Sequence, residues 1–191
     1  MTRFVAAFLF LFPLTLFSQA QADCTYTQAA NDSLGTYKSL KEYVMHERNF
    51  GSSSAYLFFS LAQDNGTPVL NVQYIQKSSD FMKVACFDKS SRIYLQLDNG
   101  KIITLLYAGA DACGQMIPLP EEGKNTRVLT GVFVFMKGNF EDLEKSPLNI
   151  VRIKFTTETA DFPMKKVLIS ELTKEAYGPS TYFMDYLKCV K

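Results

Sequence analysis

Tryptophan is absent from these 191 residues, histidine occurs once, and cysteine four times. A single histidine leaves no second imidazole for an H-E-x-x-H zinc site: His46-Glu47 is followed by Arg48 and Asn49, and Phe50 stands where the second histidine belongs. No two cysteines have the close C-x2-C spacing that zinc sites favour, and the G-x-S-x-G elbow of many hydrolases is missing. Charge of one sign is missing too. Lys+Arg number 20 and Asp+Glu 19. No basic run exceeds Lys165-Lys166, so the chain has no field to draw it to nucleic acid. After the first residues, no apolar run is long enough to span a bilayer, which takes about 20 residues.

The first residues are different. Arg3 supplies a positive charge, Phe4 to Phe17 form an apolar core interrupted by Pro13, and Ala20-Gln21-Ala22 has the small-residue cleavage pattern. In that order these are the three parts of a secretory signal peptide. Residues 1–22 are therefore expected to be removed, leaving 23–191 as a single β-rich domain in the periplasm or outside the cell. Lipidation at Cys24 is disfavoured by Asp23, which stands where that signal carries a small neutral residue.

Abundant Phe and Tyr suit strands, and two Asn-Gly pairs predict hairpins. Asn65-Gly66 suits a type I′ turn, whose central residues both need positive φ. It sets Leu61 opposite Leu70, Phe59 opposite Val72 and Leu57 opposite Tyr74, all on one face. Asn99-Gly100, treated the same way, sets Leu97 opposite Ile102, Leu95 opposite Thr104 and Ile93 opposite Leu106. Arg127 to Gly138 reads as another strand. "NFEDLEKSP" reads as a short helix capped by Asn139 and stopped by Pro147. "NIVRIKFTT" returns to strand, and "DFPMKKVLIS" reads as a weaker edge strand. Ser180 is expected to cap a terminal helix whose stripe is Tyr182, Phe183, Tyr186, Leu187 and Val190. The fold class expected is mostly β or α+β: an antiparallel sheet, sandwich or barrel built of hairpins, with one short inserted helix and a C-terminal helix.

In a secreted chain, Cys24, Cys86, Cys113 and Cys189 are expected to be disulfide-bonded. Three pairings are possible. Cys86 and Cys113 stand at equal distances from Asn99-Gly100, so an unbroken ladder would bring them opposite each other. That leaves Cys24 and Cys189 at the two ends of the mature chain. Each bond would add roughly 3–5 kcal/mol in the chain-entropy model. A catalytic thiol would need an activating base, and His46 is the only histidine.

His46 itself reads as a surface or boundary residue beside Glu47 and Arg48. A hydrolase could be assembled from it, one of Ser52, Ser53 and Ser54, and an aspartate, but no motif selects them. Asp64-Asn65-Gly66 and Asp98-Asn99-Gly100 look like fragments of calcium loops without the later acidic ligands, so turn chemistry explains them. Glu121, Glu122, Glu141, Asp142 and Glu144 read as solvated faces, and no carboxylate pair stands out for glycosidase chemistry. No catalytic residue, metal or cofactor is assigned.

The segments "DCTY", "IYLQLDNGKIITL", "FEDLEKSPLNIVRIKF" and "YFMDYLKCV" together resemble a scattered family of small secreted bacterial proteins. Those chains begin near an Asp-Cys and carry an acidic helix before a Lys-Ser and a hydrophobic-Arg-hydrophobic strand. They end in Leu-x-Cys. The resemblance covers most of the mature chain, lends no activity or catalytic residues, and implies that Cys24 pairs with Cys189. Cys86 and Cys113 depart from that pattern and read as an added staple. The function expected is a non-catalytic interaction module with a protein or small-molecule partner. Two alternatives are a carrier enclosing a small apolar ligand near Phe58, Tyr74 or Tyr94, and a hydrolase using His46 or a carboxylate pair.

Overall fold

The computed structural model describes residues 23–33, 35–119, 121, 123–136, 138 and 140–191. Residues 1–22 with the expected leader, Asn139 with its expected cap, and Glu122 lie outside the described residues. The fold is mostly antiparallel β, with two short helices.

Strands β1 (Tyr26–Asp32), β2 (Gly35–Leu40), β3 (Tyr43–Phe50), β4 (Ser53–Asp64) and β5 (Thr67–Ser78) open the chain. Short β6 (Cys86–Phe87) and β9 (Ala112–Cys113) flank the hairpin of β7 (Arg92–Leu97) and β8 (Ile102–Tyr107). They are followed by β10 (Gln115–Leu119), β11 (Lys124–Phe135), helix α1 (Phe140–Lys145), β12 (Leu148–Lys154) and β13 (Thr159–Pro163). The main sheet runs β1-β2-β4-β5-β11-β8-β7-β12-β13, with β3 also on β4 and β10 also on β11. β6 and β9 form a separate ribbon, as do β14 (Leu168–Ile169) and β15 (Ala176–Tyr177).

The β4–β5 hairpin has the register the alternation dictates: Leu57 pairs with Tyr74, Phe59 with Val72 and Leu61 with Leu70. Asn65 at φ 48° and Gly66 at φ 79° supply the two positive-φ residues that a type I′ turn needs. The second hairpin differs by one residue. Ile93 pairs with Leu105, Leu95 with Ile103 and Tyr94 with Thr104, correcting the register expected from Asn99-Gly100. Here only Gly100 has positive φ, at 83°. The Leu97 carbonyl accepts from Gly100 N–H, and Leu97 N–H donates to Lys101 O, closing a three-residue loop with a glycine bulge. Asp98 N–H donates to the Pro147 carbonyl, and Asn99 N–H to Ser146 Oγ. The loop after α1 thus holds this turn in a form that its own sequence does not select.

On the inner face of the sheet, Phe59, Phe87, Phe133 and Phe155 pack together with Leu57, Leu70, Ile93, Leu95, Val151 and Ile153. Phe162 on β13 reaches His46 and Tyr74, with ring centroids 5.4 and 5.8 Å away, so the sheet bends its last strand towards β3 and β5. A second cluster joins Val44, Tyr56 and Phe58 to Leu168 and Tyr177, so the β14–β15 ribbon covers the outer face of β3 and β4. This is why β4 is buried on both faces from Tyr56 to Ala62.

The C-terminal segment starts differently from expectation. Ser180 lies inside a 3-10 turn (Pro179–Thr181), and α2 (Tyr182–Tyr186) begins after Thr181 without a side-chain cap, running on into a second 3-10 turn at Leu187–Cys189. Proline one residue earlier, with φ fixed near −65°, starts the turn before Ser180 can act as a cap. Tyr182, Phe183, Leu187 and Val190 are nevertheless buried, as their spacing indicates. Tyr182 also serves the sheet. β2 pairs with β4 at 62–64 and β3 pairs with it at 53–59, so Leu61 faces the gap between them. Its N–H donates to Tyr182 Oη at 2.9 Å.

Candidate binding site

Cys24 is bonded to Cys189 with Cα atoms 5.5 Å apart, and Cys86 to Cys113 at 4.0 Å. Cys86 and Cys113 face each other on β6 and β9, which pair one register step away from β7–β8. The ladder is therefore interrupted between the hairpin and the bond. Among the described residues no cysteine is free, and no group of three His, Cys, Asp or Glu is placed to hold a metal ion.

Around His46 lies an open cleft of about 420 Å³ between β3–β5 and β13. Alternation along β3 sends His46 and Arg48 into it, Tyr74 and Gln76 enter from β5, and Asp161 and Phe162 from β13. Ser53, Ser54 and Asp80 complete a polar wall, so the cleft gathers the residue types a hydrolase would use. Their contacts point elsewhere. Asp80 accepts from Ser52 Oγ at 3.0 Å, Ser53 Oγ donates to the Phe50 carbonyl, and Asp161 takes both arms of Arg152 at 2.6 Å. Among the described residues no hydrogen bond links His46 to a serine or a carboxylate. Burial holds the His46 imidazole below its usual 6.5, opposed by a hydrogen bond to the Pro163 backbone and assisted by Lys165 and Arg48. That burial favours the neutral ring, which sits edge-on to Phe162.

The rim of this cleft is what sequence reasoning missed. Phe81, just beyond β5, lines the cleft and is 89 % exposed; Phe50, the last residue of β3, is 75 % exposed and pairs with Ser53 of the cleft wall, across the β3–β4 turn. The Ser52–Asp80 hydrogen bond ties the two loops together. The available signal was an apolar residue stranded among turn formers, in "NFGSSS" and "SSDFMK".

Phe58, Tyr74 and Tyr94 line separate open grooves: Phe58 on the outer face of β4, Tyr74 in the His46 cleft, and Tyr94 beside Ile102 and Ile150. A further hollow of about 280 Å³ is walled by Tyr43, Tyr177 and Tyr186. Tyr43 Oη accepts from Gly178 N–H at 2.6 Å, and burial pushes its phenol up to about 12. The acids of α1 are paired: Glu141 with Lys145, Asp142 with Lys101, and Glu144 with Lys191. The first pair lies within the helix on its solvated face, as expected for Glu141, whereas Asp142 and Glu144 tie the helix to β8's turn and to the C-terminus. Among the described residues no helix is long and apolar enough to cross a membrane. Comparison with protein-family models, curated proteins and solved structures finds no match to this chain.

Proposed function

We propose that this chain is a non-catalytic binding module acting in the periplasm or outside the cell after removal of residues 1–22. The observation that carries this reading is an exposed aromatic pair at the rim of the His46 cleft: Phe81 in its lining, and Phe50 at the end of β3, paired with Ser53 of its wall. Keeping a phenylalanine exposed forgoes roughly 1.5–3 kcal/mol of transfer free energy. Two such rings at one polar cleft give a partner an anchor that burial would reward. The lack of a proton relay at His46 among the described residues supports a non-catalytic role. Two disulfides suit an oxidising compartment. N-terminal sequencing of the native protein should start at Asp23; an intact Met1, or a lipid on Cys24, would contradict the export part of the reading.

Mass spectrometry of what the native protein retains tests the binding part. The wild type should hold a protein or small molecule that the double variant Phe50→Ser/Phe81→Ser, equally well folded, loses. Equal retention by both would remove the rim from the account. A second reading, a hydrolase, is favoured by one observation: His46, Ser53, Asp80 and Asp161 share one cleft. Retention that depends on the rim, with no turnover that depends on His46, separates the two.

A further inference from the structure

We infer that β1 is a self-association edge: two copies pair their β1 strands antiparallel about Ala30 and join their sheets. All seven residues of β1 are exposed, and β1 ends the strand order of the main sheet. A strand that buries no side chain should fray, yet this one is held at its start. Cys24 is bonded to Cys189, Tyr26 Oη donates to the Cys189 carbonyl at 2.6 Å, and Thr27 Oγ1 reaches the Leu40 carbonyl. Much of the entropy cost of ordering a free edge is therefore met before any partner arrives.

Proteins normally guard such edges with charge, proline, bulges or short strands. The opposite edge is guarded in this way: β13 is five residues long, ends in Pro163, and carries Asp161 in its ion pair with Arg152. β10 carries Pro118. β1 has no charged residue or proline from Thr27 to Asn31, where the sequence is Thr-Gln-Ala-Ala-Asn. Its register irregularity lies between Tyr26 and Gln28, which leaves Gln28 to Asp32 regular.

The register of the proposed pair follows from which groups face outward. Thr36 N–H donates to Asn65 Oδ1 at 2.9 Å, and the Thr36 carbonyl accepts from Asn65 N–H at 2.8 Å, so both Thr36 backbone groups point towards β4. Asn31 is paired with Thr36, and Ala29 lies two residues earlier opposite Lys38. In an antiparallel ladder this parity turns the N–H and C=O of Asn31 and Ala29 away from β2, to the edge that no strand among the described residues pairs. A two-fold axis at Ala30 sets Ala29 opposite Asn31 of the partner subunit, and the reverse, so every one of these outward groups is bonded. Ala30 then meets Ala30 of the partner subunit at the close, non-hydrogen-bonded position, where Cα atoms stand about 4.5 Å apart and a small side chain fits. No like charges oppose each other in this register. That self-complementarity selects a second copy over an unrelated strand.

Sedimentation equilibrium on protein purified after expression of the full chain, from low micromolar to near-millimolar concentration, tests the proposal. The wild type should show a monomer–dimer equilibrium. Ala29→Pro removes an outward N–H that β2 does not use, and should weaken the dimer at least about tenfold with thermal stability unchanged. Ala30→Lys and Ala30→Glu should each weaken self-association, and their mixture should restore it as a heterodimer. This charge pair decides the matter should Ala29→Pro misfold. A monomer at every concentration, or a dimer indifferent to all three substitutions, would overturn the proposal. Loss of the dimer leaves the rim variants unaffected, so its failure and that of the binding reading can be told apart.

Discussion

His46 and Tyr182 are both set by burial, with opposite consequences for pH. Burial lowers the imidazole pKa below 6.5, so between the folded value and 6.5 the unfolded chain binds more protons than the folded one. Stability should therefore fall as pH drops below 6.5, and His46→Gln should flatten that part of the curve. An NMR titration of the imidazole gives the folded value directly; a midpoint at or above 6.5 would contradict the burial. Tyr182 is wholly buried and its phenol is raised far above its usual range by burial. Its hydroxyl accepts the Leu61 N–H that β2 and β3 leave unpaired. Tyr182→Phe should cost about 1–3 kcal/mol by orphaning that donor, read as a lower denaturant midpoint with unchanged slope. A variant as stable as wild type would mean that the gap is satisfied another way.

At the scale of elements, β11 shows how one small residue admits an aromatic core. A Cβ on Gly131 would stand 2.7 Å from Phe87 Cδ2 and 3.0 Å from Tyr107 Cε2. Phe87 in turn stacks on Phe155 and meets Phe133 edge-on, at centroid distances of 5.3 and 5.2 Å. Gly131→Ala should displace Phe87 and cost about 1–3 kcal/mol of overpacking, visible as a drop in melting temperature. A neutral result would mean that Phe87 moves freely, against its burial. These elements also mark how far the sequence could be read. β4–β5 was legible because Asn65-Gly66 took the turn its residues favour. β7–β8 slipped by one because the Pro147 carbonyl and Ser146 Oγ, distant in sequence, hold an otherwise similar Asp-Asn-Gly loop. β1 was invisible because "YTQAAND" buries nothing and so has no alternation. β3 was obscured by the register shift between Val44 and His46. The cleft escaped notice because it is assembled from β3, β5 and β13, and no short motif spans those strands.

For the whole molecule, the disulfides span 165 and 27 residues of sequence. In the chain-entropy model those loops contribute about 5 and about 3.5 kcal/mol respectively. Non-reducing peptide mapping should recover Cys24 with Cys189 and Cys86 with Cys113. Reduction should lower the melting temperature, most through the bond that joins the chain ends. A Cys24–Cys86 or Cys24–Cys113 peptide would contradict the arrangement. No cysteine lines the His46 cleft, so Cys86→Ser/Cys113→Ser should weaken the fold and leave binding intact once folded.

Equilibrium binding of the retained partner to three proteins, with turnover followed in parallel, tests the binding reading most directly. Wild type and His46→Ala should both bind and turn over nothing, whereas Phe50→Ser/Phe81→Ser should bind at least about tenfold more weakly, as loss of an aromatic anchor entails. The contradicting result is an activity that His46→Ala lowers by about 100-fold or more, the usual scale for removing a general acid or base, with the rim variant binding as tightly as wild type.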